Sequence, residues 1–175
     1  LERYRALPLP DTTEEHWRFT DLRGFDPDAF GQVRGSGTET RPEETMLDLD
    51  VSGLATITEG GIEIERAPEA ITFAPLTEEH ELLYSLVGWE EKFAAHNAAV
   101  WEHGLLVVVP KDVVIEKPLY VRVTNSSDGG SLFWRLLVVA EAGSRFTIIE
   151  EYASTSPELS GYLNGAVEIF VGDGA

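Results

Sequence analysis

The sequence predicts a mainly β protein with a small α+β domain at its amino-terminal side. Short apolar segments follow Gly104 at a spacing of about ten residues, each bounded by turn residues. Before Gly104, a region of alternating apolar and polar residues is preceded and followed by helical patterns that begin at capping residues. We therefore predict an α+β domain over residues 1–103 and a β-rich core over residues 104–175.

The amino-terminal segment contains a helix-start signal. Thr12 and Glu15 have the spacing of a capping box, so a short helix is predicted with Trp17 and Leu22 as its buried residues. Residues 31–45 are polar, contain glycine and show no apolar period, which predicts a loop or linker.

Residues 46–75 alternate apolar and polar side chains in the segments MLDLDV, ATIT, GIEIER and ITFAPL. This alternation predicts strands with one covered face, and the Gly60–Gly61 pair predicts a hairpin turn.

Two helices are predicted between this strand region and Gly104. Thr77 can cap the first helix, which Gly88 would end, and the second would run from Trp89 to Gly104. Their predicted inner faces consist of Leu82, Leu83, Leu86 and Val87 in the first helix, and Trp89, Phe93, Val100 and Trp101 in the second.

After Gly104 the predicted strands are LLVVV, VVI, LYVRV, LFWRLLVVA, RFTIIEEY and YLNGAVEIFV. Such strands could pair as hairpins in a β-sandwich, or each could stack on the strand one coil later in a β-helix. Residues 107–123 change direction without the Asn-Gly or Asp-Gly pair that tight hairpins prefer, which favours the β-helix. Periodicity alone leaves both arrangements open.

The composition excludes several classes of protein. The 175 residues include no cysteine, so disulfides and thiolate metal sites are excluded. No apolar run reaches the length of about 18 residues that a membrane helix needs, and no signal-peptide pattern is seen. We expect a cytoplasmic protein that does not contact a membrane. Because the chain opens on Leu1 and stops soon after a strand pattern, we also expect it to be a piece of a longer protein, truncated at its carboxy-terminal end.

The net charge is −18, from 31 acidic and 13 basic residues. Such a surface repels phosphate backbones, so nucleic acid is excluded as an expected partner. Only three basic residues are lysine: Lys92, Lys111 and Lys117. An acidic, lysine-poor surface is typical of a high-salt cytoplasm, so a halophilic source is one interpretation and an ordinary acidic protein is the other.

No catalytic, cofactor-binding or metal-binding residue is predicted. His96 and His103 lie seven residues apart on one predicted helical face, about 10 Å along the axis, which is too far for one metal ion. We expect surface or interface roles for both, and solvated side chains for His16 and His80. Adjacent acidic pairs such as Glu150 and Glu151 point to different faces, and no nucleotide-binding or nucleophile motif is present.

Residues 90–121, EEKFAAHNAAVWEHGLLVVVPKDVVIEKPLYV, closely resemble the entry segment of the SufB/SufD family of iron-sulfur cluster assembly proteins. The matching positions are Lys92, Phe93, Ala95, Asn97, Ala99, Gly104, Val107, Val109, Pro110, Val113, Glu116 and Pro118. Residues 135–154 and 162–175 are similar to the segments that follow. The WRFTDL segment from Trp17 to Leu22 is similar to the SufD-type amino terminus.

This resemblance implies a fold and a role. The fold would be a right-handed parallel β-helix, of which residues 104–175 would form the first coils only. The protein would be a non-catalytic scaffold subunit of the SUF complex, pairing with a SufB-type paralogue and with the ABC-type ATPase SufC. An iron-sulfur cluster would be handled transiently by the complex, and this segment would bind no cofactor.

Two other functions stay open. The first is a stand-alone cytoplasmic β-rich binding module. The second is a carbohydrate-active β-helix enzyme, which would need convergent carboxylates on one strand face, and the sequence shows none.

Overall fold

A computed structural model describes residues 1–32 and 49–175 of the chain. The α-helices are α1 (Glu2–Ala6) and α2 (Lys92–Val100), and short 3-10 helices span Glu15–Trp17 and Pro27–Ala29. The strands are β1 (Gly31–Gln32), β2 (Gly53–Thr58), β3 (Gly61–Arg66), β4 (Thr72–Pro75), β5 (His103–Val109), β6 (Leu119–Asn125), β7 (Gly130–Ala140), β8 (Ile148–Ser154) and β9 (Gly161–Val171).

The strands form two mixed sheets. In the first sheet, β7 pairs in parallel with β1, β5 and β9, and β4 pairs antiparallel with β5. In the second sheet the order is β3, β2, β6 and β8, with only the β2–β3 pair antiparallel. The predicted mainly β class is therefore confirmed.

Successive strands after residue 103 alternate between the two sheets. Leu105 of β5 pairs with Leu136 of β7, and Leu136 pairs with Val167 of β9, so each partner lies 31 positions further along the chain. In the second sheet Leu119 of β6 pairs with Ile148 of β8. Each of these strands therefore pairs with the strand after next, and not with its immediate neighbour as in a hairpin.

The main apolar core lies between the two sheets. Alternate residues of each strand point into it, as the period of two requires. The inner residues of the first sheet include Leu105, Val107 and Leu136, and those of the second include Val121 and Val123, all almost completely buried. Each such side chain contributes about 1.5–3 kcal/mol to stability through its removal from water.

A second apolar cluster covers the outer face of the first sheet. Phe133 and Leu137 of β7 pack there against Trp101, which follows α2, and against Leu76 and Leu83 of the segment before α2. Strand β7 is consequently buried on both faces, which explains why its sequence is a nearly continuous apolar run.

Most of the predicted strands are confirmed. The hairpin at Gly60–Gly61 joins β2 and β3, with Thr58 paired to Gly61. The predicted VVI strand contributes only an isolated bridge between Val114 and Arg145. The predictions for residues 33–48, which include most of the linker and part of the MLDLDV segment, lie outside the described residues.

The helix predictions are less accurate. The helix predicted from Thr77 is wrong, because residues 78–91 form turns and bends, and Tyr84 adopts a left-handed φ of 67°. The second predicted helix is confirmed as α2, which is shorter than predicted, and His103 opens a strand. Near Thr12 no capping box forms; Asp11 instead accepts hydrogen bonds from the backbone N–H and hydroxyl of Thr13, and only one 3-10 turn follows.

Strands on both sides of the predicted domain boundary share the same sheets. β2 pairs with β6, and β4 pairs with β5. The division into residues 1–103 and 104–175 stays a prediction.

Candidate functional site

A buried polar cluster lies between α2 and the outer face of the first sheet. Its central residues are Asn97 of α2, Arg135 of β7 and Glu168 of β9, each about 1% exposed. Arg135 Nη1 lies 3.0 Å from Glu168 Oε2, and Arg135 Nε donates to Asn97 Oδ1 at 2.8 Å. The cluster therefore links a helix to two neighbouring strands through side-chain hydrogen bonds.

Asn97 also binds the main chain of both strands. Its Nδ2 donates to the carbonyl oxygen of Trp134 at 3.0 Å and to that of Asn164 at 2.8 Å. A buried amide group without hydrogen-bond partners would be destabilising. Because another placement of α2 would break these two bonds, they fix both the position of α2 and its rotation over β7 and β9.

Glu168 holds the turn-rich segment that precedes α2. Its carboxylate accepts hydrogen bonds from the backbone N–H groups of Tyr84, Leu86 and Val87, at 3.0, 2.8 and 3.2 Å. Arg135 also donates to the carbonyl oxygen of Val87 and lies 4.3 Å from the centre of the Tyr84 ring. These polar contacts attach the segment to the sheet in addition to the apolar packing of Leu83.

Burial lowers the pKa of Arg135, and the carboxylate of Glu168 counteracts this effect. The guanidinium nevertheless keeps its proton, because the ordinary pKa of arginine is above 12. Breaking such a buried pair from one side would leave an uncompensated charge, which costs about 3–5 kcal/mol. The cluster holds elements together and presents no open position to a substrate.

A second buried cluster attaches the amino-terminal helix. The ring of His96 on α2 stacks on Tyr4 of α1 with centroids 3.9 Å apart, and it meets the edge of Phe133 at 4.6 Å. His96 Nδ1 lies 3.5 Å from the hydroxyl of Tyr162, and Tyr4 donates to Asp28 at 2.8 Å. Burial lowers the pKa of His96 to about 4, so this histidine is neutral at pH 7.

A third polar group lies on the outer face of the second sheet. Tyr120 donates to Glu151 at 2.5 Å, and Arg122 Nε lies 3.6 Å from the same carboxylate. Burial is the largest cause that raises the pKa of Tyr120 to about 12, and the hydrogen bond to Glu151 is the next largest.

The inner face of β8 differs from that of β6. Glu150 and Tyr152 occupy the positions that pair with Val121 and Val123. Glu150 borders a cavity of about 480 Å³ whose other walls are mostly apolar and include Ile148 and Ile169. Burial raises the pKa of Glu150, while a hydrogen bond with Tyr152 opposes this shift.

The structure separates the four histidines. Of the surface or interface role expected for His96, the surface alternative is wrong, because that side chain is 8% exposed, and the interface alternative stays a prediction. His103 is half-buried at the start of β5, and His16 is exposed on a 3-10 helix. His80 accepts a hydrogen bond from the N–H of Leu82 through Nδ1 at 3.3 Å.

Within residues 1–32 and 49–175, no group of three or more His, Cys, Asp or Glu residues could hold a metal ion. Over the same ranges, no helix is long and apolar enough to cross a membrane. The polar clusters were missed by sequence reasoning, although Arg135 and Glu168 give one signal: each is a charge within an otherwise apolar strand.

The fold and these clusters define a mainly β protein in which a helix is tied to one sheet by buried polar contacts. Sequence comparison finds similarity to iron-sulfur cluster assembly proteins. The chain is 35% identical over 86 residues to the iron-sulfur cluster assembly protein SufD of Bacillus subtilis. It is 33% identical over 82 residues to iron-sulfur cluster assembly SufBD family proteins of Staphylococcus epidermidis and Staphylococcus aureus.

These matches cover 49% and 47% of this chain, and the predicted resemblance to the SufB/SufD family is confirmed for the matched half. The match spans about a fifth of the length of these relatives, 20% for SufD and 18% for the SufBD family proteins. No family model matches the chain.

Proposed function

We propose that this chain is part of a non-catalytic scaffold subunit for iron-sulfur cluster assembly. The observation that carries the proposal is its similarity to SufD and to SufBD family proteins, all named for that process, over about half of its residues. A scaffold role requires rigid surfaces and not a reactive centre, and the two clusters between α2 and the first sheet fasten α1, α2 and the turn segment to the strands. The iron-sulfur cluster would be the cargo of the assembled complex and not a resident cofactor of these residues.

We further propose that the sheets are the first coils of a right-handed parallel β-helix. The offset of 31 positions between paired strands, the same from β5 to β7 as from β7 to β9, supports this architecture. A β-helix would also account for the mostly apolar cavity beside β8 and β9, because a further coil would cover the inner residues of both strands.

The expected partners are a SufB-type paralogue and the ABC-type ATPase SufC, in the cytoplasm, with neither nucleic acid nor membrane involved. The net charge of −18 supports the exclusion of nucleic acid.

The test is to recover the tagged full-length protein from its own cells, in buffer matched to the salt of the source. The proposal expects an ABC-type ATPase and a second β-rich paralogue to co-purify, while a tagged unrelated acidic protein recovers neither. Depletion of the protein should also lower the activity of iron-sulfur enzymes. Absence of both partners, together with unchanged iron-sulfur enzyme activity, would refute the proposed function and favour a stand-alone binding module.

A further inference from the structure

A small cavity lies between the amino-terminal segment and the start of α2. Its volume is about 160 Å³, and its apolar walls include Pro8, Pro10, Trp17 and Phe93. The rings of Trp17 and Phe93 are 5.3 Å apart and tilted by 41°, so they form two adjacent aromatic surfaces. Small-molecule sites are usually about 300–1,000 Å³, so this cavity fits a single side chain better than a drug-sized ligand.

Carboxylates also line this aromatic cavity. Glu14, Glu90 and Glu91 belong to its lining, and all three side chains are exposed. Glu14 accepts a hydrogen bond from the N–H of Asp11 at 3.2 Å. Within the described part of the chain, the side chains of Glu90 and Glu91 have neither a hydrogen bond nor an ion pair.

The cation that lines the cavity is engaged elsewhere. Lys92 Nζ donates to the carbonyl oxygen of Tyr4 at 2.9 Å and lies 3.9 Å from the centre of the Tyr4 ring. The negative charge of Glu90 and Glu91 is therefore left for an external group. In the described ranges these carboxylates do not form a group that could hold a metal ion.

We propose that this cavity is a docking site for an arginine side chain presented by a protein partner. A guanidinium is planar, stacks on aromatic faces and carries five donors that can bind more than one carboxylate. The rings of Trp17 and Phe93 would supply the stacking surface, and Glu90 and Glu91 the acceptors. A lysine ammonium would lack the planar stacking surface and the forked donors, so the site favours arginine.

The test measures binding of N-acetyl-arginine methylamide through the indole N–H resonance of Trp17. The neutral control probe is N-acetyl-citrulline methylamide, which keeps the shape but lacks the charge. We expect a saturable shift of Trp17 with the arginine probe and binding about fivefold weaker, or more, with citrulline, since an exposed ion pair contributes only modestly.

A matched pair of variants separates the cavity from the general negative field of the protein. Glu90→Gln with Glu91→Gln removes two charges at the cavity and should weaken arginine binding about fivefold. Glu78→Gln with Glu79→Gln removes two exposed charges that do not line the cavity and should leave binding unchanged.

Three outcomes would overturn the proposal: no shift of Trp17 with the arginine probe, equal shifts with both probes, or equal weakening in both double variants. A lysine probe that binds as tightly as arginine would also overturn the stated preference. The test uses only this chain and small probes, so its failure would leave the proposed assembly function intact.

Discussion

The buried His96 makes a specific prediction about stability and pH. Its ring is stacked on Tyr4 and packed against Phe133, and burial holds its pKa near 4. Asp28 opposes this shift, whereas Lys92 reinforces it. The perturbation is a change from pH 7 to pH 5, compared between the wild-type protein and the His96→Phe variant, which keeps an aromatic ring but cannot titrate.

The sign follows from proton binding. In the unfolded chain His96 takes up its proton at a pKa of about 6.5, whereas in the folded protein it does so only near pH 4. The unfolded state therefore binds more protons between these values, and the free energy of unfolding falls as the pH is lowered through this window. Integrating the linkage relation from pH 7 to pH 5 gives a loss of about 2 kcal/mol from His96.

Urea denaturation at pH 5, 6 and 7 would measure this contribution, with the slope of the transition checked for constancy. Other titrating groups affect both proteins alike, so the wild type should lose about 2 kcal/mol more than His96→Phe. The reasoning would be refuted if both proteins lost stability equally, or if the C2 proton of His96 in the folded protein titrated near pH 6.5.

Three further predictions concern Gly165, Glu168 and Glu150 and are measured by urea denaturation. Gly165→Ala should destabilise by about 1–3 kcal/mol, because the added methyl group would lie 2.2 Å from the indole ring of Trp134, a side chain that is 4% exposed; Gly31→Ala, with nothing within 4 Å, is the control. Glu168→Ala should destabilise by about 3–5 kcal/mol and increase hydrogen exchange of the turn segment before α2; unchanged exchange there would contradict the hydrogen-bond assignment. Glu150→Gln should stabilise at pH 7, because burial raises the pKa of this carboxyl and its charged form is disfavoured; the gain should vanish at low pH, where both side chains are neutral, and the exposed Glu158→Gln should show no such gain.

The strands after residue 103 could be predicted because their signals are local. Apolar runs bounded by Pro110, Pro118 and the DGG segment give the positions of β5, β6 and β7 to within a few residues. The pairing of these strands is not local, since each partner lies about thirty residues away. Periodicity alone therefore left the sandwich and the β-helix open.

The incorrect helix after Thr77 has a physical cause in a distant residue. The backbone N–H groups of Tyr84, Leu86 and Val87 bind the carboxylate of Glu168. In a helix these groups would instead bind carbonyl oxygens four residues earlier. The contact spans more than eighty residues of sequence, so the apolar spacing of the segment alone could not predict it.

The Arg135–Glu168 pair becomes predictable only after the register is known. Arg135 lies opposite Ala166, so Glu168 is its diagonal neighbour on the same face of the sheet. Each charge alone, within an apolar strand, indicates only a functional or paired residue. Asn97 was identified through the resemblance, and the structure gives its role as the residue that binds α2 to the main chain of β7 and β9.

The strand register also shows where the inner positions of the sheets stop being apolar. In the first sheet, one column of paired inner residues, running across three neighbouring strands, is apolar throughout: Leu105, Leu136 and Val167. In the second sheet, the column containing Val121 continues with Glu150. Glu150 is half-buried, and burial raises the pKa of its carboxyl because the charged form is disfavoured there. The stability contributed by packing at β8 should therefore depend on pH, whereas that of the equivalent inner residues of the first sheet should not. A substitution of Glu150 should change the free energy of unfolding by an amount that varies with pH, and a substitution of Val167 by an amount that does not.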